Sequence, residues 1–267
     1  VNGRAGSRRR APLVAIVPAG LATALLLLPL LGLVRRAAWS GLLDDLADPL
    51  TRDALRLSLE CAALATAIAI LLGTPLAWVL ARYDFPGRTL LRALALLPLV
   101  VPPVVGGVAL LLAFGREGIV GGLLDDIGVQ LTFHPSGVVL AETFVAMPFL
   151  VVTLEAAFRS IDRRYEEVAE TLGASRATVF RRVTLRAVAP AMVAGAALAW
   201  ARALGEFGAT ITFAGSISGR TQTLPLAVYQ ALETNPSAAI TLSLVLLGIS
   251  IAVLVLLRGR WWGLGSR

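Results

Sequence analysis

Residues 238–257 read AAITLSLVLLGISIAVLVLL, twenty positions in a row without a charge. A hydrocarbon layer about 30 Å thick needs roughly 20 apolar residues in a helix, since lipid offers no partner to an unpaired backbone N–H or C=O. This stretch therefore predicts a membrane-spanning helix, and five others resemble it: residues 11–34, 57–81, 90–114, 138–158 and 190–214. The first contains Pro18, Gly20 and Pro29 but exceeds the core of a cleavable signal, about 7–15 residues. It reads as an uncleaved span, and a twin-arginine signal at Arg8-Arg9-Arg10 is the weaker alternative.

Composition agrees with this reading. Of 267 residues, 57% are hydrophobic and only 15% are charged, and the mean hydropathy is +0.80. Soluble domains carry about 25% charge. A disordered chain lacks that much apolar surface, and a disulfide-stapled module needs more than the single Cys61.

The net charge of +7 comes from 24 basic residues, all of them arginine. Their placement is topological. Arg4, Arg8, Arg9 and Arg10 precede the first span; Arg82, Arg88 and Arg92 follow the second; Arg159, Arg163, Arg164, Arg176, Arg181, Arg182 and Arg186 follow the fourth; Arg258, Arg260 and Arg267 close the chain. The remaining connections hold fewer: Arg35, Arg36, Arg52, Arg56, Arg116 and Arg220. Because short cytoplasmic loops collect the basic residues, both termini are predicted inside, with Trp39 and Trp261-Trp262 as interfacial anchors. Charges placed between apolar blocks whose partner is membrane lipid set topology and argue against a nucleic-acid partner. The expected fold is an all-α membrane protein of six transmembrane helices, a single domain over residues 1–267, with tails at 1–10 and 258–267 and a long inside loop at 159–189.

Enzymatic chemistry finds no foothold. A P-loop needs a lysine on the β- and γ-phosphates, and the sequence has none; His134 is the only histidine, so no zinc pair can be assembled, and a Ser–His–Asp set would have to recruit this one residue of a short outside loop, which reads as structural. No catalytic residue, metal site or cofactor is expected on this chain. Ionisable residues at membrane depth default to function or to pairing. Glu60, Glu142, Glu155, Arg202 and Glu206 lie in or near spans. Glu155 is expected to reach water at the inside end, and Arg202 with Glu206, one helical turn apart, to pair. Gly205 and Gly208 flank that acid and weaken the helix, which makes Arg202, Gly205, Glu206, Gly208 and Thr210 candidates for a gate. The following outside stretch, Gly219-Arg220-Thr221-Gln222-Thr223-Leu224-Pro225, offers donors suited to an oxyanion or a docking partner.

Inside the loop, Glu166, Glu167 and Glu170 precede Gly173, and four arginines follow Ser175. Gly173 suits a left-handed helix end and Ser175 an N-cap, so two short helices are predicted, with Pro190 opening the next span. Clustered acids favour a protein partner over an anionic lipid surface. Glu167-Val168-Ala169, Gly173, Val183 and Leu185 resemble the EAA loop of ABC-importer permeases, with Val168, Val183 and Arg186 departing from the usual Ala, Ile and Pro. The strings Gly205-Glu206-Phe207-Gly208-Ala209-Thr210 and Gly219 to Leu226 resemble those of molybdate-importer permeases, and more loosely the sulfate and thiosulfate permeases. The resemblance implies coupling through Glu167, Ala169, Gly173, Val183 and Leu185, and an outer mouth at Gly219, Arg220, Thr221, Gln222, Thr223 and Pro225. It also implies a homodimeric pore in the plasma (cell inner) membrane, two cytoplasmic ATPase subunits carrying ATP-Mg, and a periplasmic or lipid-anchored oxyanion-binding protein. Molybdate is the expected cargo, with tungstate or sulfate as alternatives. A secondary carrier relaying charge through Arg202 and Glu206 is the rival, but no inverted repeat supports it.

Overall fold

The computed structural model describes residues 13–37, 39 and 41–262. The tail 1–10, the first two positions of the 11–34 span, and residues 263–267 lie outside it, as do the side chains of Arg258, Arg260, Trp261 and Trp262.

Among the described residues, five helices are long and apolar enough to span: α1 (Leu13–Arg35), α3 (Pro49–Arg82), α7 (Pro135–Ser160), the continuous helix from Arg176 to Leu204, and α13 (Pro236–Trp262). A sixth span is a bent pair, α4 (Arg88–Val100) and α5 (Pro103–Phe114), whose axes differ by 120°. Shorter elements are α2 (Leu42–Ala47), α6 (Gly121–Asp126), α8 (Arg164–Thr171), α11 (Gly208–Phe213) and α12 (Leu224–Thr234).

Three predicted spans change shape. The 90–114 stretch breaks because Pro102 and Pro103 lack the N–H that would continue the ladder, and proline drives its predecessor to an extended conformation; Val101 has ψ 130° and Pro102 ψ 135°. The 57–81 span begins eight residues earlier, at Pro49, where the Asp48 carboxylate accepts the Thr51 N–H at 3.1 Å. Arg52 and Arg56 thus lie on helix, not in a loop.

The third change removes a predicted boundary. α9 (Arg176–Val179) runs through a π segment (Phe180–Thr184) into α10 (Leu185–Leu204), so Pro190 lies inside the helix. Its ring is exposed, so the unpaired carbonyl it leaves does not sit in the core. The helix ends at Leu204, ten residues before the predicted end.

The core forms where α3, α7 and α10 meet. α3 contributes small residues, Cys61, Ala62, Ala65, Ala69 and Ala77, and α7 contributes Val138, Leu150, Val151, Leu154 and Phe158. A Cβ on Gly73 would meet Leu150 Cδ2 and Val151 Cγ2 at 3.3 Å, and one on Gly195 would meet Leu150 Cδ1 at 3.0 Å. Small residues let helix backbones approach where lipid supplies no hydrophobic drive. The side chains described on α1 and α4 are exposed or half-buried, with none buried, as befits apolar surface turned to lipid or to another chain.

The connections sort into two ends. Arg92 reaches Glu155 at 2.7 Å and Arg82 reaches Glu166 at 3.2 Å, which gathers the second and fourth connections. At the other end Arg220 meets the His134 ring at 2.7 Å, gathering the third and fifth.

Candidate functional site

The arginine-rich end carries the predicted helix–turn–helix. α8 closes with the double bond pattern of a left-handed cap: Ala174 N–H donates to Ala169 O at 3.1 Å and Gly173 N–H to Glu170 O at 2.9 Å. Gly173 has φ +85°, which explains the glycine. Ser175 Oγ accepts the Thr178 N–H at 3.3 Å and starts α9. The second predicted short helix does not end, however; it continues through the π segment into the membrane.

Of the residues assigned to coupling, Glu167 and Gly173 are exposed and Ala169 is half-buried. Val183 and Leu185 follow the turn: Val183 sits half-buried in the π segment, and Leu185 packs against the main core. Sequence reading missed the feature that most resembles a docking surface. Tyr165, Val168 and Leu172 are 67%, 58% and 82% exposed, an apolar stripe at i, i+3 and i+7 on an otherwise polar helix. That spacing was available in the sequence but was eclipsed by the acids. Glu155, expected to reach water, is instead buried and holds Arg92 and Arg159 at 2.7 and 2.6 Å. Its helix turn is covered by α4, so the carboxylate needs partners.

The second region is the chain break after α10. Arg202 Nη1 lies 2.6 Å from Glu206 Oε2, confirming the pair, and Glu206 Oε1 accepts the Ala209 N–H at 2.8 Å. One carboxylate therefore neutralises an arginine and caps α11. The two glycines differ in role. A Cβ on Gly208 would stand 2.9 Å from Pro103 Cβ, and one on Gly107 would stand 2.7 Å from Thr212 Cβ, so α11 and α5 touch through glycine. A Cβ on Gly205 meets nothing closer than 3.6 Å; close packing does not require that glycine. Thr210 is buried next to Ala209 with its hydroxyl unpartnered among the described residues, and Glu142 on α7 is likewise buried with Oε2 unpartnered.

The 219–225 stretch corrects an expectation. Thr221, Gln222 and Thr223 are buried, not displayed. Gly219 turns the chain at φ +72°, three successive N–H groups (Arg220, Thr221, Gln222) converge on Ile217 O at 2.9–3.0 Å, and Thr221 Oγ1 accepts the Ile217 N–H at 3.0 Å. Ser218 donates to Gln222, and Gln222 to Gln230 on α12. Leu224 N–H donates to Ser58 Oγ on α3 at 2.6 Å. The backbone N–H groups and the Thr221 and Gln222 side chains are consumed in building the turn and starting α12, while the Thr223 hydroxyl is buried without a partner among the described residues. Arg220, against His134, is the exposed cation of the stretch. Pro225 and Tyr229 line a groove of about 510 Å³ with Phe207, and the Phe207 and Tyr229 rings lie 5.2 Å apart. The break and α12 are therefore in direct contact.

A helical bundle that crosses a membrane several times, with a capped helix–turn at one end and a charge-paired helix break in its interior, defines a polytopic membrane protein. The chain belongs to the family described as binding-protein-dependent transport system inner membrane component, whose model matches residues 69–261. It is a multi-pass inner-membrane permease component of the ABC-importer class. Among relatives, the molybdenum transport system permease protein ModB of Mycobacterium tuberculosis is 49% identical over 242 residues, covering 90% of this chain and 88% of that protein. ModB of Escherichia coli is 40% identical over 80% of this chain and 94% of that protein. The sulfate transport system permease protein CysT of Salmonella typhimurium is 37% identical over 86% of this chain and 84% of that protein. Among solved structures, a bacterial ABC transporter that imports the acidic polysaccharide alginate superposes with a TM-score of 0.73 at 18% identity, covering 93% of each chain. The inward-facing MetNI methionine transporter gives 0.63 at 17% identity over 79% of this chain and 96% of that one.

Proposed function

We propose that this chain lines the translocation path of an ATP-driven molybdate importer, working as a homodimer with two cytoplasmic ATPase subunits and an oxyanion-binding protein outside. The observation that carries the cargo is the identity of 49% across nine-tenths of the chain to a molybdenum permease, against 37% to a sulfate permease. The 159–189 loop faces the cytoplasm and the 219–225 turn faces outside, in keeping with the arginine distribution.

α8 presents Tyr165, Val168 and Leu172 to the ATPase beside Glu167, and Gly173 holds the angle of the knob. Closure of the ATPase pair on ATP draws the knobs together. The displacement runs along the unbroken helix from Arg176 to Leu204 and arrives at the break, where Arg202, Gly205, Glu206, Gly208 and Thr210 form the mobile joint. From there Phe207 carries it to Tyr229 and α12. The residues Gly219, Arg220, Thr221, Gln222, Thr223 and Pro225 shape the outer mouth, with Arg220 as its cation. The permease binds no cofactor in this scheme; ATP-Mg belongs to the partner.

The test is reconstitution in liposomes with the cognate ATPase and binding protein, followed by competitive uptake. Molybdate accumulates only with ATP, tungstate competes at comparable concentration, and sulfate competes only in large excess. Equal competition by sulfate would assign the protein to sulfate import, and uptake driven by a proton gradient without the ATPase would establish the secondary-carrier reading.

A further inference from the structure

We infer that Glu166, one position before the motif glutamate Glu167, is a positioning residue that latches the coupling loop to the end of α3 through Arg82 and to the π segment through Thr184. The inference rests on the proposed docking of an ATPase at α8 and adds the element through which that docking reaches the bundle.

α8 has few anchors of its own. It packs on α9 and the π segment, and no side chain of α8 is buried. Of its acids, Glu166 alone turns inward. Its Oε1 accepts the Thr184 hydroxyl at 2.8 Å and the Arg82 guanidinium at 3.2 Å. Thr184 is buried, and the side chains of Arg82 and Glu166 are 8% and 20% exposed. A charge-assisted pair this sheltered is directional, unlike the exposed pair Arg56–Glu60 on α3.

Arg82 ties more than the loop. Both terminal nitrogens reach Ile161 O, the cap of α7, at 3.4 Å, and Arg163 returns a bond to Arg82 O at 3.1 Å. The C-terminal end of α3, the end of α7 and the start of the loop therefore meet at one guanidinium. Trp78 lies below, edge-on to Tyr83 at 5.2 Å and against Phe180 of the π segment at 4.7 Å. Beside this cluster is a cavity of about 460 Å³ lined in part by Glu166, Glu170, Arg163 and Arg176. With no buried side chain on α8, the two bonds on Glu166 fix its tilt.

The π segment supplies the reason for the second bond. Leu185 N–H bonds to Phe180 O, five residues back, which inserts one extra residue and offsets α9 from α10 by roughly 100° relative to a continuous α-helix. A widened turn is a weak point in a rod meant to transmit force. Thr184 at its end, held by Glu166, braces it.

The experiment uses the complete transporter, permease with its ATPase and binding protein in liposomes, and reads two quantities: ATPase co-purification and molybdate moved per ATP hydrolysed. Glu166→Ala retains the ATPase, and transport per ATP falls about fivefold or more, the lower range for coupling between sites. Thr184→Val, nearly isosteric, gives a smaller loss in the same ratio. Combining Arg82→Glu with Glu166→Arg recovers coupling above that of Glu166→Arg alone. An unchanged ratio in Glu166→Ala overturns the latch, as does loss of the ATPase in that variant, which would make Glu166 a docking contact. Retention of the ATPase by Leu172→Asp would instead overturn the docking reading, and the two failures are separately visible.

Discussion

The loop around α8 and the break around Glu206 are both short, polar interruptions of an apolar chain, yet they use their polar groups in opposite ways. At α8 the acids and the apolar stripe point outward, and only Glu166 turns in. At the break, Glu206 is fully buried, with Oε1 accepting the Ala209 N–H and Oε2 held against Arg202 as an ion pair without a hydrogen bond of its own. One region keeps binding capacity for a partner, and the other spends it holding two helix ends together. Substitutions should therefore damage assembly at the first region and folding or pore closure at the second.

The largest expected effect tests the interior. Glu206→Ala strips the α11 cap and leaves Arg202 without its partner, a loss of about 3 kcal/mol on the scale of broken buried ion pairs. Its check is the fraction of permease that stays monodisperse in detergent on heating, with Glu206→Gln falling between Glu206→Ala and the parent. Next is the glycine contact between α11 and α5. Gly107→Val forces a side chain into space 2.7 Å from Thr212 Cβ and should cost about 2 kcal/mol by overpacking. Gly205→Ala, with no close neighbour, should be nearly silent in the same thermal assay, and equal damage from both would erase the distinction between the two glycines.

Effects at the loop should appear in assembly. Leu172→Asp leaves thermal stability unchanged, because its side chain is 82% exposed, but weakens ATPase association by more than about tenfold, as expected for an apolar anchor. Co-purification at graded ATPase concentration measures it. Smaller still, though above the near-silent Gly205→Ala, is Gly173→Ala, about 1 kcal/mol from placing a Cβ at φ +85°. It should loosen the knob and lower ATPase association slightly without altering Glu206-dependent stability.

The same contrast explains what the sequence disclosed. Features set by neighbours along the chain were legible: the uncharged run 238–257, the left-handed Gly173, the Ser175 cap and the Arg202–Glu206 pair at i, i+4. The Pro102-Pro103 bend was also local, but averaging hydropathy across 90–114 concealed it. Burial was not legible. Thr221, Gln222 and Thr223 read as a polar surface loop, and only the contact of Leu224 with Ser58, 166 positions away, together with the fold around it, takes that turn out of solvent. Glu155 and Glu166 were indistinguishable from surface acids for the same reason: Arg159 stands four positions from Glu155, but Arg92, which pairs with it from α4, lies 63 positions away, and Arg82 lies 84 positions from Glu166. Pro190 misled because an exposed face of α10 tolerates a proline that a boundary rule would place at a helix start.

The central claim is that energy reaches this subunit through the α8 knob while the 205–226 region answers from the far side. Site-directed cross-linking tests it most directly, using Leu172→Cys and Ser216→Cys, each in a background where Cys61 is replaced by serine, in membranes containing the cognate ATPase. Leu172→Cys should cross-link to the ATPase in a nucleotide-dependent manner and Ser216→Cys should not, reacting instead with a membrane-impermeant thiol reagent added from outside. An ATPase cross-link from Ser216→Cys, or none from Leu172→Cys in an assembled complex, would contradict the account.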